Sequence, residues 1–416
     1  MVIKTKIINI LHHPPAYEAY RDSPRPEINW DTPNGSWVGI WGYDWPDVTG
    51  NEVLKITDEF DYEVWQPDLR ADKIYSHRFE NGLVHRLFPA KAVRRIYGMK
   101  IVREVISNEL TKGILEESNK RQVILHINAV TNYLSYQIIK NNNMPFLAEF
   151  HSKSIIPSIE KKKFRKNILA NFYYRSVDSV LKNKKIYFVY NNSHNYKELF
   201  KYNPIGVDRI FMGVSFNEWT PMAKTDAKKY FGINNETKVL SMASRLNSLK
   251  QIDRIINTAK KLNQRYDFKL LIAGHGEEEY EKYLKNISSK LIEQGKLEFT
   301  GYLTGEEMLR LYQASDLFIS ASTSEGGPVS VMKAIACETP VMCTRVGGVD
   351  DILAEHNAGI LVDPFDYNHW EKELISVLEG KEIKILDRKI AREHFHWPNI
   401  AKRFVDIYRK LEGCNA

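Results

Sequence analysis

Three places in the chain combine residue types and spacing that could do chemistry. Ser324-Glu325-Gly326-Gly327-Pro328 lies between an apolar run at 316–320 and a helical pattern at 330–337. A glycine-rich loop at a helix start leaves backbone N–H groups without intrahelical partners. Those groups and the helix dipole suit an anion, at roughly 0.3–1 kcal/mol per exposed charge. The same pattern fits an ordinary strand-to-helix turn. Arg245 and Lys250, at another strand-to-helix junction, put two cations near one sheet edge; the plainer alternative is a surface ion-pair pattern. His126 and His151 stand at the ends of two successive strand-like runs, 122–127 and 145–150. A histidine there either hydrogen-bonds within the fold or faces the carboxyl edge of the sheet, where sites of α/β proteins gather.

The elements that must position these residues alternate between strand and helix. Residues 3–11 read as a first strand rather than a signal peptide, since the apolar stretch is short and no small-residue cleavage site follows. A tryptophan-dense segment comes next, with Trp30, Trp37, Trp41, Trp45 and Trp65. Its aromatic rings either pack on the sheet or line an acceptor groove, because aromatic faces stack on sugar rings. Residues 54–67 and 82–89 read as short strands. Lys91 to Thr111 reads as an amphipathic helix, with Val93, Ile96, Ile101, Val105 and Ile106 apolar and Arg94, Arg95, Lys100 and Arg103 between them. A helix at 131–140 and strands at 145–150 and 185–191 follow, then a helix at 195–202. A second alternation starts at Lys238: strands at 239–243, 269–275, 297–302, 316–320, 341–344 and 358–364 with helices between them, and a last helix at 397–411. This order predicts an α/β fold with parallel sheets.

At 416 residues the chain is long enough for two domains. With 43% hydrophobic and 27% charged residues it has the balance of an ordinary globular protein. No run approaches the ~18 apolar residues of a membrane span. A net charge of +7 is modest for this length and comes with no zinc-finger or RRM-like pattern, so nucleic acid is not an expected partner. Cys337, Cys343 and Cys414 form neither a disulfide framework nor a metal spacing, which fits a reducing cytoplasm. Lys161, Lys162, Lys163, Arg165 and Lys166 sit beside apolar Phe164, Ile168, Leu169, Phe172 and Tyr173. They read either as a solvated helix face or as a membrane-surface helix, each cation adding about 1 kcal/mol near an anionic leaflet.

Residues 324–348 resemble the donor-site signature of retaining glycosyltransferases of family 4. That signature has Glu-Gly, a second Glu eight residues after the first followed by Ala, a Gly-x-Pro-Val stretch and a Gly-Gly turn. Here it appears as Glu325-Gly326, Lys333-Ala334, Thr339-Pro340-Val341 and Gly347-Gly348, with Lys333 in place of the second Glu. The resemblance is continuous from about Met212 to Leu411, and Met212-Gly213-Val214-Ser215 loosely matches the family's interdomain linker. It implies the GT-B fold: two Rossmann-like parallel-sheet domains facing each other across a cleft, over residues 1–211 and 212–396, with helix 397–416 completing the first. The first would hold the acceptor and the second the nucleotide sugar.

The same resemblance implies roles. Arg245 and Lys250 match the family's diphosphate clamp, in which two fixed cations stabilise the leaving group and replace a metal ion. Glu325 would hold sugar hydroxyls, and Gly326, Gly327, Pro328 and Val329 would approach the sugar or phosphate. Gly274 and Gly276 match a Gly-x-Gly near base and phosphates, and Tyr302 lies where backbone meets the nucleobase. Lys333 falls where a carboxylate grips the ribose, and an ammonium donates but does not accept. His151 matches a histidine near the donor sugar. His126 and Asn128 match a His-x-His with Asn at its second place, and the Asn34–Gly39 stretch, with Gly35 and Trp37, loosely matches a glycine-rich loop beside the cleft. Expected, then, is a cytoplasmic enzyme, peripheral on the inner membrane face, moving a hexose to an acceptor hydroxyl in polysaccharide or glycolipid assembly, with no cofactor or metal. Alternatives are a nucleotide-sugar-binding protein that has lost catalysis and a GT-B sugar-nucleotide epimerase.

Overall fold

The computed structural model describes residues 3–11, 45–69, 71–97, 100–150 and 168–414. The chain divides into two compact units, one of residues 1–190, 194–210 and 397–416, the other of residues 191–193 and 211–396.

The first unit carries β1 (Thr5–Ile10), β2 (Phe60–Asp68), β3 (Tyr75–Arg78), β4 (Val84–Pro89), β5 (Lys91–Tyr97), β6 (Lys100–Ile106), β7 (Val123–Ile127), β8 (Phe146–Phe150), β9 (Ile186–Tyr190) and β10 (Gly206–Arg209). Eight of them form one sheet in the order β10-β9-β8-β7-β1-β2-β4-β3, parallel except at β3, which runs antiparallel to β4. Every residue of β1, β7 and β8 is buried, as expected for parallel strands covered on both faces. On one face Ile8, Ile10, Leu125, Ile127 and Phe146 pack with Leu134, Ile138, Val177 and Leu181 of helices Tyr133–Asn141 and Ile168–Leu181. On the other, Ile7, Ile124 and Leu147 pack with Val53 of helix Trp45–Ile56 and with Ile400, Phe404, Tyr408 and Leu411 of the terminal helix Trp397–Gly413. Successive residues alternate between these two cores because side chains alternate along a strand.

The helix expected over 91–111 is not formed. Residues there make an antiparallel pair, β5 with β6, in a register that sets Val93 opposite Glu104 and Ile96 opposite Ile101. A helix begins only at Asn108, capped by Ser107, whose side chain accepts from Leu110 N. Val93, Ile96, Ile101, Val102, Val105 and Ile106 are β-branched, which favours strand, and Gly98 within the run costs a helix about 1 kcal/mol. Two smaller differences accompany this one. Residues 45–56 are helical where the strand reading began at Leu54, and the turn after β9 is a 3-10 helix, Ser193–Tyr202.

The second unit carries β11 (Lys238–Ala243), β12 (Phe268–Ala273), β13 (Leu297–Gly301), β14 (Leu317–Ser320), β15 (Val341–Thr344) and β16 (Ile360–Val362). All pair in parallel, in the order β13-β12-β11-β14-β15-β16. In chain order this is 3-2-1-4-5-6, the doubly wound Rossmann pattern, whose direction of travel reverses beside its first strand. Among the described residues no helix is long and apolar enough to cross a membrane.

Candidate active site

The reversal in the second unit falls between β11 and β14. The connections leaving those strands run to opposite sides of the sheet, and ligands of open α/β sheets bind in the crevice between them. The β11 connection carries Arg245 and Lys250 and leads into helix Ile252–Leu262. The β14 connection carries Glu325 to Pro328 and leads into helix Val329–Ala336. The structure ties the two together. Lys250 Nζ donates to Glu325 Oε1 at 2.5 Å, Ser322 Oγ donates to the same oxygen at 2.6 Å, and Thr323 N donates to Leu249 O at 2.9 Å. Ser322 is buried, and its own carbonyl accepts from Thr344 Oγ1 at 2.5 Å.

Local chemistry shapes each connection. Asn247 accepts from Leu249 N at 3.1 Å and starts a short 3-10 turn, Ser248–Lys250. Gln251 closes it with φ of 51°, a left-handed conformation that costs a side-chain-bearing residue roughly 1–2 kcal/mol. The turn sets Lys250 back toward Glu325, their side chains 21% and 13% exposed. Arg245 is exposed and makes no ion pair among the described residues. One cation of the pair is therefore engaged and the other open. On the facing connection, the amides of Gly326 and Gly327 donate to no described residue. Asn191 Nδ2 donates to Gly326 O.

The Gly274 to Gly276 turn completes this edge. A Cβ on Gly274 would lie 1.9 Å from Ser244 O, and one on Gly276 1.8 Å from Leu246 O. Only glycine lets the β12 turn lie against the β11 connection this closely. Leu246 N donates to His275 O at 2.9 Å across the contact. His275, between the two glycines, is a residue that sequence reasoning passed over; its signal was a histidine at a strand end inside Gly-x-Gly. Tyr302, just past β13, is 70% exposed.

Lys333 lies on helix Val329–Ala336 with its ammonium 4.1 Å from the ring centre of Trp219. Burial lowers its pKa, against the opposing charge of Glu218. Trp219, which no sequence signal marked, is fixed by Arg388, whose guanidinium donates to Phe216 O at 2.7 Å and to Trp219 O at 3.3 Å. Burial also pushes the neighbouring Cys337 thiol up to about 12, so it is not a nucleophile at neutral pH.

In the first unit the strand order reverses between β1 and β7. Asn128, just past β7, donates there to Asn9 Oδ1 at 2.8 Å and Ile10 O at 2.9 Å, joining the two strand ends. His126 is not at an open edge. It is fully buried, with Nε2 2.6 Å from Glu149 Oε1 and Nδ1 2.8 Å from Tyr408 Oη of the terminal helix. Position 126 shares its face of β7 with Ile124, the face that this helix covers, so its ring enters a packed polar layer with Asn9 and Tyr62. His151, Gly35, Trp37 and the basic run Lys161, Lys162, Lys163, Arg165 and Lys166 lie outside the described residues. Among the described residues no group of three or more His, Cys, Asp or Glu is arranged to hold a metal ion.

The chain is similar to known proteins in sequence and in fold. Residues 223–394 match a family described as glycosyl transferases group 1. A D-inositol 3-phosphate glycosyltransferase of Corynebacterium urealyticum is 30% identical over 205 residues, 47% of this chain and 48% of the relative. The chain spans about half the length of the curated relatives it matches. Among solved structures, a sucrose-phosphate synthase from Thermosynechococcus elongatus aligns with a TM-score of 0.67 at 16% identity, over 99% of this chain and 100% of that one. Anabaena HepE in complex with UDP aligns with a TM-score of 0.65 at 14% identity, over 98% and 100%. The two parallel-sheet Rossmann-like units of this chain are those of the GT-B glycosyltransferase fold, and its second unit is similar to group 1 glycosyl transferases.

Proposed function

We infer that the protein is a retaining glycosyltransferase moving a sugar from a nucleoside diphosphate to an acceptor hydroxyl. The observation that carries this reading is the meeting of Lys250 and Glu325 at the strand-order reversal, with Arg245 open beside them. In the reaction the bond from the anomeric carbon to the diphosphate oxygen breaks, and the acceptor oxygen bonds the same carbon on the same face. The acceptor proton leaves with the diphosphate. Negative charge grows on the departing diphosphate, and cations fixed nearby favour that charge without reorganising. Arg245 binds the diphosphate first. Lys250 then exchanges its carboxylate partner for a phosphate oxygen, and Glu325, released, accepts from sugar hydroxyls. The amides of Gly326 and Gly327 and the end of helix Val329–Ala336, with Pro328 and Val329, approach the same group. His151 orients the sugar near its reacting carbon. In this reading the two cations serve in place of a divalent ion.

The acceptor is a saccharide or lipid-linked saccharide in polysaccharide or glycolipid assembly, met at the inner membrane face through the basic run at 161–166. The donor class is supported by a structural neighbour from Anabaena, solved with UDP and with UDP-glucose. The test is a panel of UDP, GDP, dTDP and CMP sugars, with and without saccharide acceptors and with and without chelator, read by nucleoside diphosphate release and by the anomeric configuration of the product. Release from one donor, insensitive to chelator and giving a retained anomer, supports the reading; release from none overturns it. One observation favours a second reading, donor binding without transfer. Lys333 stands where the resembled signature has a carboxylate, and its Nζ lies over the Trp219 ring. Binding of a sugar nucleotide with no release in any acceptor condition would select it.

A further inference from the structure

We propose that His275 is a third cation of the diphosphate site, protonated when the nucleotide is bound. This rests on the donor-site reading above and adds a residue to it. The β11–β12 ladder pairs Ala243 with Ala273, and the same offset pairs Leu246 with Gly276 beyond the strands. In that register Arg245 falls opposite His275, and the backbone contacts that lock Gly274 and Gly276 against Ser244 and Leu246 hold the two residues side by side. Both are exposed at the carboxyl edge, His275 with 65% of its side chain.

The ring is oriented on two sides. Its Nδ1 is 3.5 Å from Glu281 Oε1 on helix Glu278–Glu293, and that carboxylate also accepts from Gly276 N at 2.6 Å. Its Nε2 would lie 3.4 Å from a Cβ on Gly301, so the ring rests on a residue that presents no side chain. Nε2 has no hydrogen-bond partner among the described residues. An open imidazole nitrogen can give a charge-assisted hydrogen bond to an arriving phosphate oxygen. Glu281, from the helix, is the charged group at the ring, and Arg245 is the register neighbour of His275 on the β11 connection. The open edge next to Arg245 thus takes a dianionic diphosphate better than a neutral group.

The experiment is calorimetric titration of wild type, His275→Gln and His275→Lys with UDP, UMP and uridine from pH 6 to 8, with GDP and dTDP replacing UDP if it does not bind. Exposure of the side chain means the variants should fold, and their melting temperatures check it. Wild type should bind the diphosphate more tightly as pH falls. His275→Gln should bind it about tenfold more weakly at pH 6, the scale of one charge-assisted hydrogen bond, with a flatter profile. His275→Lys should keep the affinity and also lose the slope. Ionisation of the ligand's own phosphate is common to all three proteins and cancels in the comparison. Equal affinity and slope in wild type and His275→Gln would overturn the proposal. So would an equal loss for uridine, which would make His275 a base-stacking residue. If the wild type binds no nucleoside diphosphate at all, the donor-site reading fails and this proposal with it.

Discussion

Lys250 and Glu325 are 75 residues apart in the chain and in contact at the point where the strand order of the second sheet reverses. The pair ties together two connections that leave neighbouring strands. In the proposed reaction Lys250 leaves this contact to meet the diphosphate, whereas Arg245 has no such contact to break among the described residues. The two basic residues of the β11 connection therefore differ in what their loss should do.

Arg245→Ala should lower turnover by about a hundredfold or more, the scale of losing one charge-stabilising donor. The melting temperature should hardly move, because Arg245 is exposed and makes no ion pair among the described residues. Lys250→Met should lower turnover on the same scale but also cost about 1.5–3 kcal/mol of stability, the range for a hydrogen bond to a charged group. Nucleoside diphosphate release and chemical denaturation, run on both variants, check the contrast.

A donor present at about 100 times its dissociation constant should stabilise the protein by ~2.7 kcal/mol, a shift visible in thermal denaturation. One member of the sugar-nucleotide panel should do so for the wild type. Lys333→Glu places a carboxylate in a half-buried site close to Glu218. It should lower stability without ligand, since a charge is exchanged for one of the sign its neighbour already carries. A donor that stabilises only Lys333→Glu would assign Lys333 to blocking the site.

Acid should weaken the first unit through Glu63. Burial alone would raise its pKa, but Arg86, at 2.8 Å, and Lys6, at 2.9 Å, outweigh burial and hold the carboxyl at about 2. Because the folded pKa lies below the unfolded one, the stabilisation is present above about pH 4.5 and is lost as pH falls toward 2. The shift corresponds to about 3 kcal/mol. Denaturation midpoints measured from pH 6 to 2 should drop through this window, and Glu63→Gln, less stable at neutral pH, should show a shallower drop.

Breaking the contact of His126 with Glu149 should destabilise that unit strongly. Glu149→Ala removes the partner 2.6 Å from a fully buried imidazole beneath the terminal helix. A loss of about 1–3 kcal/mol is expected for leaving a buried hydrogen-bonding group without its partner, measurable by urea denaturation. Nucleoside diphosphate binding by the second unit should persist at low denaturant. An unchanged midpoint would mean the polar layer contributes little.

Much of the fold was legible in the sequence because its signals are local. The six strands of the second unit and the helices Ile252–Leu262, Glu278–Glu293, Gly305–Ala314, Val329–Ala336 and Trp397–Gly413 lie close to where apolar runs, glycine turns and Pro340 put them. Val349–Glu355, Tyr367–Leu378 and Arg388–Phe395 are helices that the sequence reading did not mark. The glycines of 274–276 marked a close backbone approach before the backbone they approach was known. The run from 91 to 106 misled because its apolar residues satisfy a helical spacing as well as a strand pairing, and only the partner strand settles the difference. His126 misled for a related reason. A position at a strand end is visible in sequence, but which face it takes, and that a helix 282 residues away covers it, is not.

By itself the sequence determined most element types and their order, and marked candidate residues for an anion site, since propensity, periodicity and turn chemistry act over a few residues. Only the tertiary structure decided that β11 lies between β12 and β14. It alone set Lys250 against Glu325, left Arg245 open beside His275 and turned Lys333 onto Trp219. Those relationships join residues far apart in the chain. Parallel strands are joined by helical crossovers, and the crossover leaves no local mark of which strand it will pair with.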